Sequence, residues 1–139
     1  LRVEHTGGKI YTEIEAIVSA IFVDEMHFQN VIFNLMDNAV KYRKQDKPID
    51  IYLRTWNDND HLYLSVRDTG LGIKKENLKK IFDKFYRVHT GNVHDAKGFG
   101  LGLAYVHKVV DLHDGEIKVE SEYGKGTTFT IKLPVIKDE

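Results

Sequence analysis

An asparagine-rich segment, Phe28–Tyr42, gives the strongest structural signal in this chain of 139 residues. Its sequence, FQNVIFNLMDNAVKY, repeats apolar residues at helical spacing, which predicts an amphipathic helix with one buried face. The apolar stripe consists of Phe28, Val31, Ile32, Leu35, Ala39 and Val40. Beside it lies a polar row of Asn30, Asn34, Asn38 and Lys41, with Tyr42 at its end. Asparagine disfavours helix interiors because its amide competes for backbone hydrogen bonds. The row therefore predicts either a solvated face or a binding site.

Composition limits the classes of protein to which the chain can belong. Hydrophobic residues make up 42% and charged residues 29% of it, as in an ordinary globular domain. The net charge of −1 indicates no nucleic-acid or anionic-membrane partner. The absence of cysteine excludes disulfides and thiolate chemistry, and it fits a reducing compartment. The longest apolar run, Ala16–Val23, is too short to cross a bilayer, and the N-terminus lacks a signal-peptide pattern. We expect one soluble domain over residues 1–139, without direct membrane contact.

The periodicity of the sequence predicts the order strand, helix, strand, strand, helix, helix, strand, strand. Asp24 is a suitable N-cap for the asparagine-rich helix, and Pro48 cannot continue that helix. The predicted strands are Ile10–Glu15 (extended or followed by Ile21–Val23), Ile49–Trp56, Leu62–Asp68, Glu116–Ser121 and Thr127–Leu133; the predicted helices are Glu25–Arg43, Lys75–Phe85 and Leu101–Leu112, with a loop at Arg87–Lys97. This order predicts an α/β fold, a two-layer α/β sandwich whose mixed, mostly antiparallel sheet carries helices on one face.

A carboxylate and a hydroxyl are predicted to face the interior of this sandwich. Leu62, Leu64 and Val66 share one face of their strand, and Asp68 follows on the same face. Thr127 begins a similar apolar row in the last strand. A buried carboxylate is costly unless donors satisfy it. Asp68 is therefore either the cap of the turn that follows it or an acceptor for an amino-bearing planar ligand such as adenine.

Glycines and basic residues indicate where phosphates would lie. Gly70 and Gly72 allow the backbone to pass close to a flat ligand. Gly98, Gly100 and Gly102 precede a predicted helix, whose N-terminal N–H groups suit phosphate; their spacing is neither a Rossmann nor a Walker pattern. Residues 74–97 carry a local charge of +4, so the remainder carries −5. That basic segment is either a solvated face or a border of an anion site.

Taken together, these residues resemble the catalytic, ATP-binding domain of bacterial sensor histidine kinases, within the gyrase, heat-shock chaperone, histidine kinase and MutL (GHKL) superfamily. Five motifs occur in the family's order: Asn34–Tyr42 (N box), Asp68–Gly72 (first glycine box), Phe82–Arg87 (F box), Gly98–Leu103 (second glycine box) and Gly124–Phe129 (last glycine box). The resemblance covers about residues 20–134. It implies the Bergerat-type ATP-binding fold, in agreement with the predicted order of elements.

The resemblance implies a role for each matching residue. Asp68 would accept a hydrogen bond from the adenine amino group, supported by Thr127 directly or through water. Asn38 would coordinate Mg²⁺, and Asn34 would contact the metal or the phosphates. Residues 74–97 would form a lid over the nucleotide. Lys41, Tyr42 and Arg87 would lie on the phosphate and sugar side, with Asn34, Lys41 and Arg87 as the catalytic set; the further nucleotide contacts would come from Gly70, Gly72, Ile73, Phe82, Gly98, Gly100, Leu101 and Gly102.

The implied activity is transfer of the γ-phosphoryl group of ATP to a histidine on a separate helical dimerisation domain of the same protein. None of the seven histidines has the family's acceptor context, so that domain is expected to be absent from this chain. The histidines also show no metal-ligand spacing and are expected to be structural or solvated. The downstream partner would be a response regulator. The domain would be cytoplasmic, and its parent an inner-membrane sensor kinase.

Three alternatives share parts of this pattern. An ATP hydrolase of the gyrase, chaperone or MutL branch carries a glutamate where this chain has Asn34, and an amide cannot act as a general base. A nucleotide-binding module without transfer activity would be expected to have degenerate motifs, whereas these are intact. An anti-sigma-factor serine kinase shares the fold, but the F box Phe82–Arg87 fits sensor kinases better.

Overall fold

A computed structural model describes residues 6–15, 25–83 and 102–135. These residues form five strands, two α-helices and one short 3₁₀-helix. In chain order they are β1 (Ile10–Ile14), α1 (Glu25–Lys41), β2 (Ile51–Asn57), β3 (His61–Asp68), the 3₁₀-helix (Lys75–Asn77), α2 (Gly102–Leu112), β4 (Glu116–Glu122) and β5 (Gly126–Pro134). The predicted strands and both long helices are confirmed to within about two residues at each described end. Asp24, Ile21–Val23 and the loop Arg87–Lys97 lie outside the described residues.

The strands form one sheet in the order β1-β2-β3-β5-β4. β1 pairs with β2 in parallel, and the other three pairs are antiparallel. The predicted mixed, mostly antiparallel sheet is therefore confirmed. Because β5 returns between β3 and β4, the C-terminal end of β3 lies beside the start of β5, with Asp68 opposite Thr127. Two segments far apart in the sequence meet at this edge of the sheet.

One face of the sheet carries the helices and the hydrophobic core. The alternation of β5 places every second residue in the interior, and Phe129 and Ile131 are almost completely buried. α1 contributes Val31 and Leu35 to the same core, and α2 contributes Val106, all with at most 1% of their surface exposed. α1 packs against α2 and β3, and α2 also packs against β4. This arrangement agrees with the predicted two-layer sandwich.

The opposite face of the sheet is covered by its own large side chains. The guanidinium group of Arg67 lies 4.0 Å from the ring centre of Tyr52, which stacks on Tyr11 at 4.8 Å. Arg54 lies in the same way over Trp56, at 4.6 Å. Cation–π and stacking contacts of this kind let arginines and aromatic rings shield a sheet face without a second layer. The described helices thus pack on only one side of the sheet.

The predicted helix Lys75–Phe85 is wrong over its described part. Residues 75–77 form a single 3₁₀ turn, and residues 78–83 continue as turns and a bend. The N–H groups of Asn77, Lys80 and Asp83 each donate to the carbonyl three residues earlier, at 2.8 to 3.0 Å. Leu78 and Ile81, which are three residues apart, contact the core, and so does Phe82. A spacing of three suits a 3₁₀ turn, in which such side chains eclipse.

Over the described residues, no helix is long and apolar enough to cross a membrane.

Candidate functional site

Asp68 ends β3 as a buried carboxylate on the core face of the sheet. Only 9% of its surface is exposed, and its register partner Thr127 is 6% exposed. The N–H of Gly70 donates to Asp68 Oδ1 at 2.8 Å, and the backbone N–H of Thr127 also donates to this carboxylate. The alternation of two strands therefore brings one acceptor and one hydroxyl together, as their phase in the sequence predicts.

Burial raises the pKa of the Asp68 carboxyl to about 6. Desolvation is the main cause, and the hydrogen bonds from the N–H groups of Gly70 and Thr127 oppose it only in part. The carboxylate is thus held in an environment that penalises its charge. A ligand that donates a further hydrogen bond would relieve this penalty.

We expect the raised pKa of Asp68 to make the ligand-free protein less stable as the pH rises from about 4 to about 6. The folded state binds this proton more tightly than the unfolded chain, whose aspartate pKa is near 3.8. Stability therefore falls with rising pH in that window, by at most about 1.4 kcal/mol per pH unit, and becomes constant above it. Chemical denaturation of the wild type and of Asp68→Ala across pH 4–7 isolates this contribution. Parallel pH profiles for the two proteins would show that the folded state does not raise this pKa.

The turn after Asp68 is fixed to the end of α1. The N–H of Leu71 donates to the carbonyl oxygen of Tyr42 at 3.0 Å. A Cβ atom on Gly70 would lie 2.9 Å from both that carbonyl oxygen and Asp68 Oδ1. Gly70 is thus required where two polar atoms crowd the backbone, and Tyr42 reaches this turn through its backbone. The side chain of Tyr42 is half-buried.

The hairpin turn between β4 and β5 packs against the same glycine turn. The N–H of Gly124 donates to the carbonyl oxygen of Leu71 at 2.6 Å, and the N–H of Ile73 donates to Ser121 Oγ at 2.7 Å. Ser121 Oγ also lies 2.8 Å from Thr127 Oγ1. Sequence reasoning missed Ser121. Its signal was available, because Ser121 continues the interior-facing row of Ile117 and Val119 in β4.

The polar row of α1 adjoins the first residue of α2. Asn34 Nδ2 donates to the carbonyl oxygen of Asn30 at 2.7 Å, so the other atom of this amide, Oδ1, faces away from that bond. A Cβ atom on Gly102 would lie 3.2 Å from Asn34 Oδ1. The oxygen of Asn34 therefore lies at the N-terminus of α2. Asn38 is half-buried one turn further along α1, and its side-chain amide has no hydrogen-bond partner among the described residues.

Lys41 forms an ion pair with Asp37, with 3.0 Å between Nζ and Oδ2. The pair has the i, i+4 spacing that favours such contacts on a helix. Sequence reasoning placed Lys41 on the phosphate side without assigning it this partner. A polyphosphate would have to compete with Asp37 for the ammonium group.

Of the F box, the structure describes Phe82 and Asp83, which are the last described residues before α2. The ring of Phe82 packs against Phe129, at 6.4 Å between ring centres, and against His107, at 5.2 Å. These contacts place Phe82 at the margin of the core. The predicted site residues Arg87, Gly98, Gly100 and Leu101 lie outside the described residues, as does the part of the predicted lid after residue 83.

No group of three or more histidine, aspartate or glutamate side chains in the described parts of the chain is arranged to hold a metal ion. His113 is engaged with its own helix, with Nδ1 lying 2.7 Å from the carbonyl oxygen of Val109.

Comparison with known proteins connects this geometry to named relatives. The chain is 59% identical over its full length to the sensor protein RprX of Bacteroides fragilis, of which it covers 27%. It is 40% identical over 91% of its length to the sensor histidine kinase RcsC of Escherichia coli, and 40% identical over 93% to the sensor protein CiaH of Streptococcus pneumoniae. It covers 13% and 29% of those two proteins. The chain thus spans less than a third of these relatives.

Solved structures show the same fold. Full-length ShkA in complex with AMPPNP superposes with a TM-score of 0.83 and 25% identity, over 99% of this chain and 27% of ShkA. The mycobacterial sensor histidine kinase MprB superposes with a TM-score of 0.74 and 27% identity, over 91% of this chain and 82% of that one. The catalytic domain of the histidine kinase ThkA, at 24% identity and a TM-score of 0.79, supports the fold alone.

A family model described as the histidine kinase-, DNA gyrase B- and HSP90-like ATPase matches residues 23–137. The match covers most of the chain, and the motifs quoted from the sequence all lie within it. The chain therefore belongs to the family of histidine kinase-, DNA gyrase B- and HSP90-like ATPases, and within that family it is similar to the corresponding domain of sensor histidine kinases.

Proposed function

We propose that this domain binds Mg·ATP and transfers its γ-phosphoryl group to a histidine on a separate helical dimerisation domain. In that reaction the bond from the γ-phosphorus to the β–γ bridging oxygen breaks, and a bond from phosphorus to an imidazole nitrogen forms. ADP is the leaving group. Such a transfer depends on positioning and on stabilisation of charge more than on covalent chemistry by the enzyme.

The buried carboxylate of Asp68 is the observation that carries this proposal. It lies on the core face beside Thr127, at a turn where Gly70 admits no side chain. A planar base with an exocyclic amino group would supply a further donor to this carboxylate. The complex of the similar protein ShkA with AMPPNP supports a nucleotide of the ATP type.

Asparagine side chains suit the phosphate and metal end of the same site. The amide oxygen of Asn34 is directed away from the bond that its nitrogen makes with Asn30. Oxygen ligands of this kind are those that Mg²⁺ accepts. Asn38 and Asn34 would hold Mg²⁺, which when bound neutralises charge on the phosphates. Lys41 would move from Asp37 towards the phosphates.

The remaining contacts are proposed from the motifs. Tyr42, Gly72, Ile73 and Phe82 would border the sugar and base, either directly or by shaping the turn. Arg87 would reach the terminal phosphates. Backbone N–H groups of the second glycine box, from Gly98, Gly100, Leu101 and Gly102, would cradle the phosphates, as such groups do at helix N-termini.

The side chain of Asn34 favours transfer over hydrolysis. General-base activation of water requires a group that accepts a proton, and an amide does not. Its nitrogen is also committed to the carbonyl oxygen of Asn30. We therefore expect slow ATP hydrolysis by this domain and no phosphorylation of the domain itself.

The rest of the proposed function belongs to the whole parent protein. The sensor proteins that resemble this chain are three or more times longer than it. We propose that the histidine-bearing domain belongs to the same protein, that a response regulator receives the phosphoryl group, and that the domain acts in the cytoplasm beneath an inner-membrane sensor.

The test is phosphoryl transfer in trans from ATP labelled at the γ-phosphate. We expect no stable label on the 139-residue domain alone, and acid-labile label on the helical domain of the parent kinase when the two are mixed. The matched control is that helical domain with its acceptor histidine replaced by glutamine, which should remain unlabelled.

Two outcomes would contradict the proposal. Label on this domain in the absence of the helical domain would place the acceptor within the chain. Rapid release of inorganic phosphate without labelling of either domain would favour the hydrolase branch of the family.

A further inference from the structure

Ser121 Oγ makes three short polar contacts in a small hydrogen-bond network that includes Thr127, the register partner of Asp68. The N–H of Ile73 donates to it at 2.7 Å. The carbonyl oxygen of Gly126 lies 2.9 Å away and can only accept. Thr127 Oγ1 lies 2.8 Å away and could donate or accept. Three polar atoms thus share one half-buried hydroxyl group.

The number of protons on this hydroxyl group determines the direction of each bond. A serine hydroxyl has one proton to donate and two lone pairs. Its proton is required by the carbonyl oxygen of Gly126, which has none of its own. Its lone pairs then accept from the N–H of Ile73 and from the hydroxyl of Thr127. This is the single assignment in which all three short contacts are hydrogen bonds.

We infer that Ser121 is a positioning residue that fixes the hydroxyl of Thr127 as an acceptor towards the nucleotide base. Because the proton of Thr127 is held by Ser121, the lone pairs of Thr127 Oγ1 remain free to accept. Asp68 and Thr127 are register partners on β3 and β5 and are both buried on the core face, so both acceptors lie at the same end of the sheet. This inference rests on the proposed binding of a purine nucleotide at Asp68.

A pair of acceptors distinguishes the two classes of purine at position 6. An amino group at position 6 offers two N–H donors, as in adenine. An oxo group at the same position is itself an acceptor, and it would face two acceptors without a proton between them. Buried acceptors that cannot be satisfied weaken binding strongly. Ser121 thereby contributes to selection of 6-amino over 6-oxo purines without touching the base.

The test compares the binding of ATP and inosine triphosphate, which differ in the base only at position 6 and in the proton on N1. Calorimetry would measure both affinities for the wild type and for Ser121→Ala. In the variant, the hydroxyl of Thr127 is free to rotate and can donate to an oxo group. We expect the ratio of the two affinities to fall by about fivefold to tenfold, the worth of about one hydrogen bond.

A ratio of affinities separates this role from a merely structural one. Loss of the hydrogen bond from Ile73 would loosen the turn and weaken the binding of ATP and of inosine triphosphate alike. The ratio of the two affinities would then stay unchanged. Ser121→Thr keeps the hydroxyl and should restore the ratio. The matched control is Ser65→Ala. Ser65 is a serine of β3 that lies on the opposite face of the sheet and is 9% exposed. In the Thr127→Val background, Ser121→Ala should no longer alter the ratio.

Each failure has a distinct signature. A wild-type protein without preference for ATP would contradict the proposed function itself. A wild-type preference that persists unchanged in folded Ser121→Ala would overturn the role of Ser121 alone. If Ser121→Ala does not fold, Ser121→Cys keeps the volume with a much weaker acceptor, and it should lower the ratio in the same direction; an unchanged ratio there would overturn the inference.

Discussion

Asp68→Ala is expected to weaken ATP binding by about 100-fold, or nearly 3 kcal/mol. The wild-type carboxylate is buried, accepts two backbone N–H groups and has its pKa raised to about 6, so it is charged at neutral pH at a cost in free energy. A hydrogen bond from the amino group of adenine to a charged acceptor of this kind is worth about 1.5–3 kcal/mol. Alanine removes that bond and leaves the two N–H groups without their acceptor. Calorimetric titration with ATP measures the loss.

The control has to show that the variant is folded and that the effect is local. Asp111→Ala removes an exposed carboxylate near the C-terminal end of α2 and should leave ATP affinity unchanged. Circular dichroism and thermal unfolding would verify the fold of both variants. Folded Asp68→Ala that retains wild-type affinity for ATP would remove the basis of the proposed site.

The location of Asp68 was predictable because it depends on local periodicity. Alternation in β3 fixes the face of the sheet on which Asp68 lies, and the same rule applies to Thr127 in β5. The spacing of apolar residues in α1 likewise fixed which side of the helix is buried. These features require no knowledge of which strands pair.

Features that depend on contacts between distant segments were not predictable. The parallel pairing of β1 with β2 and the position of β5 between β3 and β4 follow from packing of the whole sheet. The network at Ser121 requires β4, β5 and the glycine turn to meet. The ion pair between Lys41 and Asp37 has the local i, i+4 spacing of a helix and could have been predicted. The motif alone, however, had assigned Lys41 to the phosphate side.

The segment after the first glycine turn shows where periodicity itself is ambiguous. Leu78, Ile81 and Phe82 fit one side of a helix in the sequence. In the structure, 3₁₀-type bonds bring Leu78 and Ile81 to the core without a regular helix. Three apolar residues over five positions cannot separate these possibilities, because both place residues three apart on one side.

The second large effect concerns the backbone that shapes the site. Gly72→Ala is expected to destabilise the domain by about 3 kcal/mol and to weaken ATP binding. Gly72 has a φ of 76°, a conformation that side chains other than glycine rarely adopt. A Cβ atom there would also meet the hairpin turn between β4 and β5, at 2.8 Å from the carbonyl carbon of Glu122 and 2.9 Å from Cα of Tyr123. These are backbone atoms, so the whole turn has to move.

Gly124→Ala provides a matched control for the strain of a positive φ. Gly124 lies in the neighbouring hairpin turn with a φ of 92°, and a Cβ atom there would have no heavy atom within 4 Å. Its substitution should cost only the conformational strain, about 1 kcal/mol. Urea denaturation of both variants gives the two free energies of unfolding. The difference between these two losses of stability measures the free-energy cost of disturbing the contact between the hairpin turn and the glycine turn.

The consequence for binding follows from how the two turns are joined. The N–H of Gly124 donates to the carbonyl oxygen of Leu71, and the N–H of Ile73 donates to Ser121, so the residues on both sides of Gly72 are tied to the β4–β5 hairpin. Displacement of that hairpin by a new Cβ atom would separate Thr127 from Asp68 as well. ATP affinity should therefore fall in Gly72→Ala and remain close to wild type in Gly124→Ala. Equal losses of stability in the two variants would mean that strain alone, and not the contact between the turns, requires glycine at position 72.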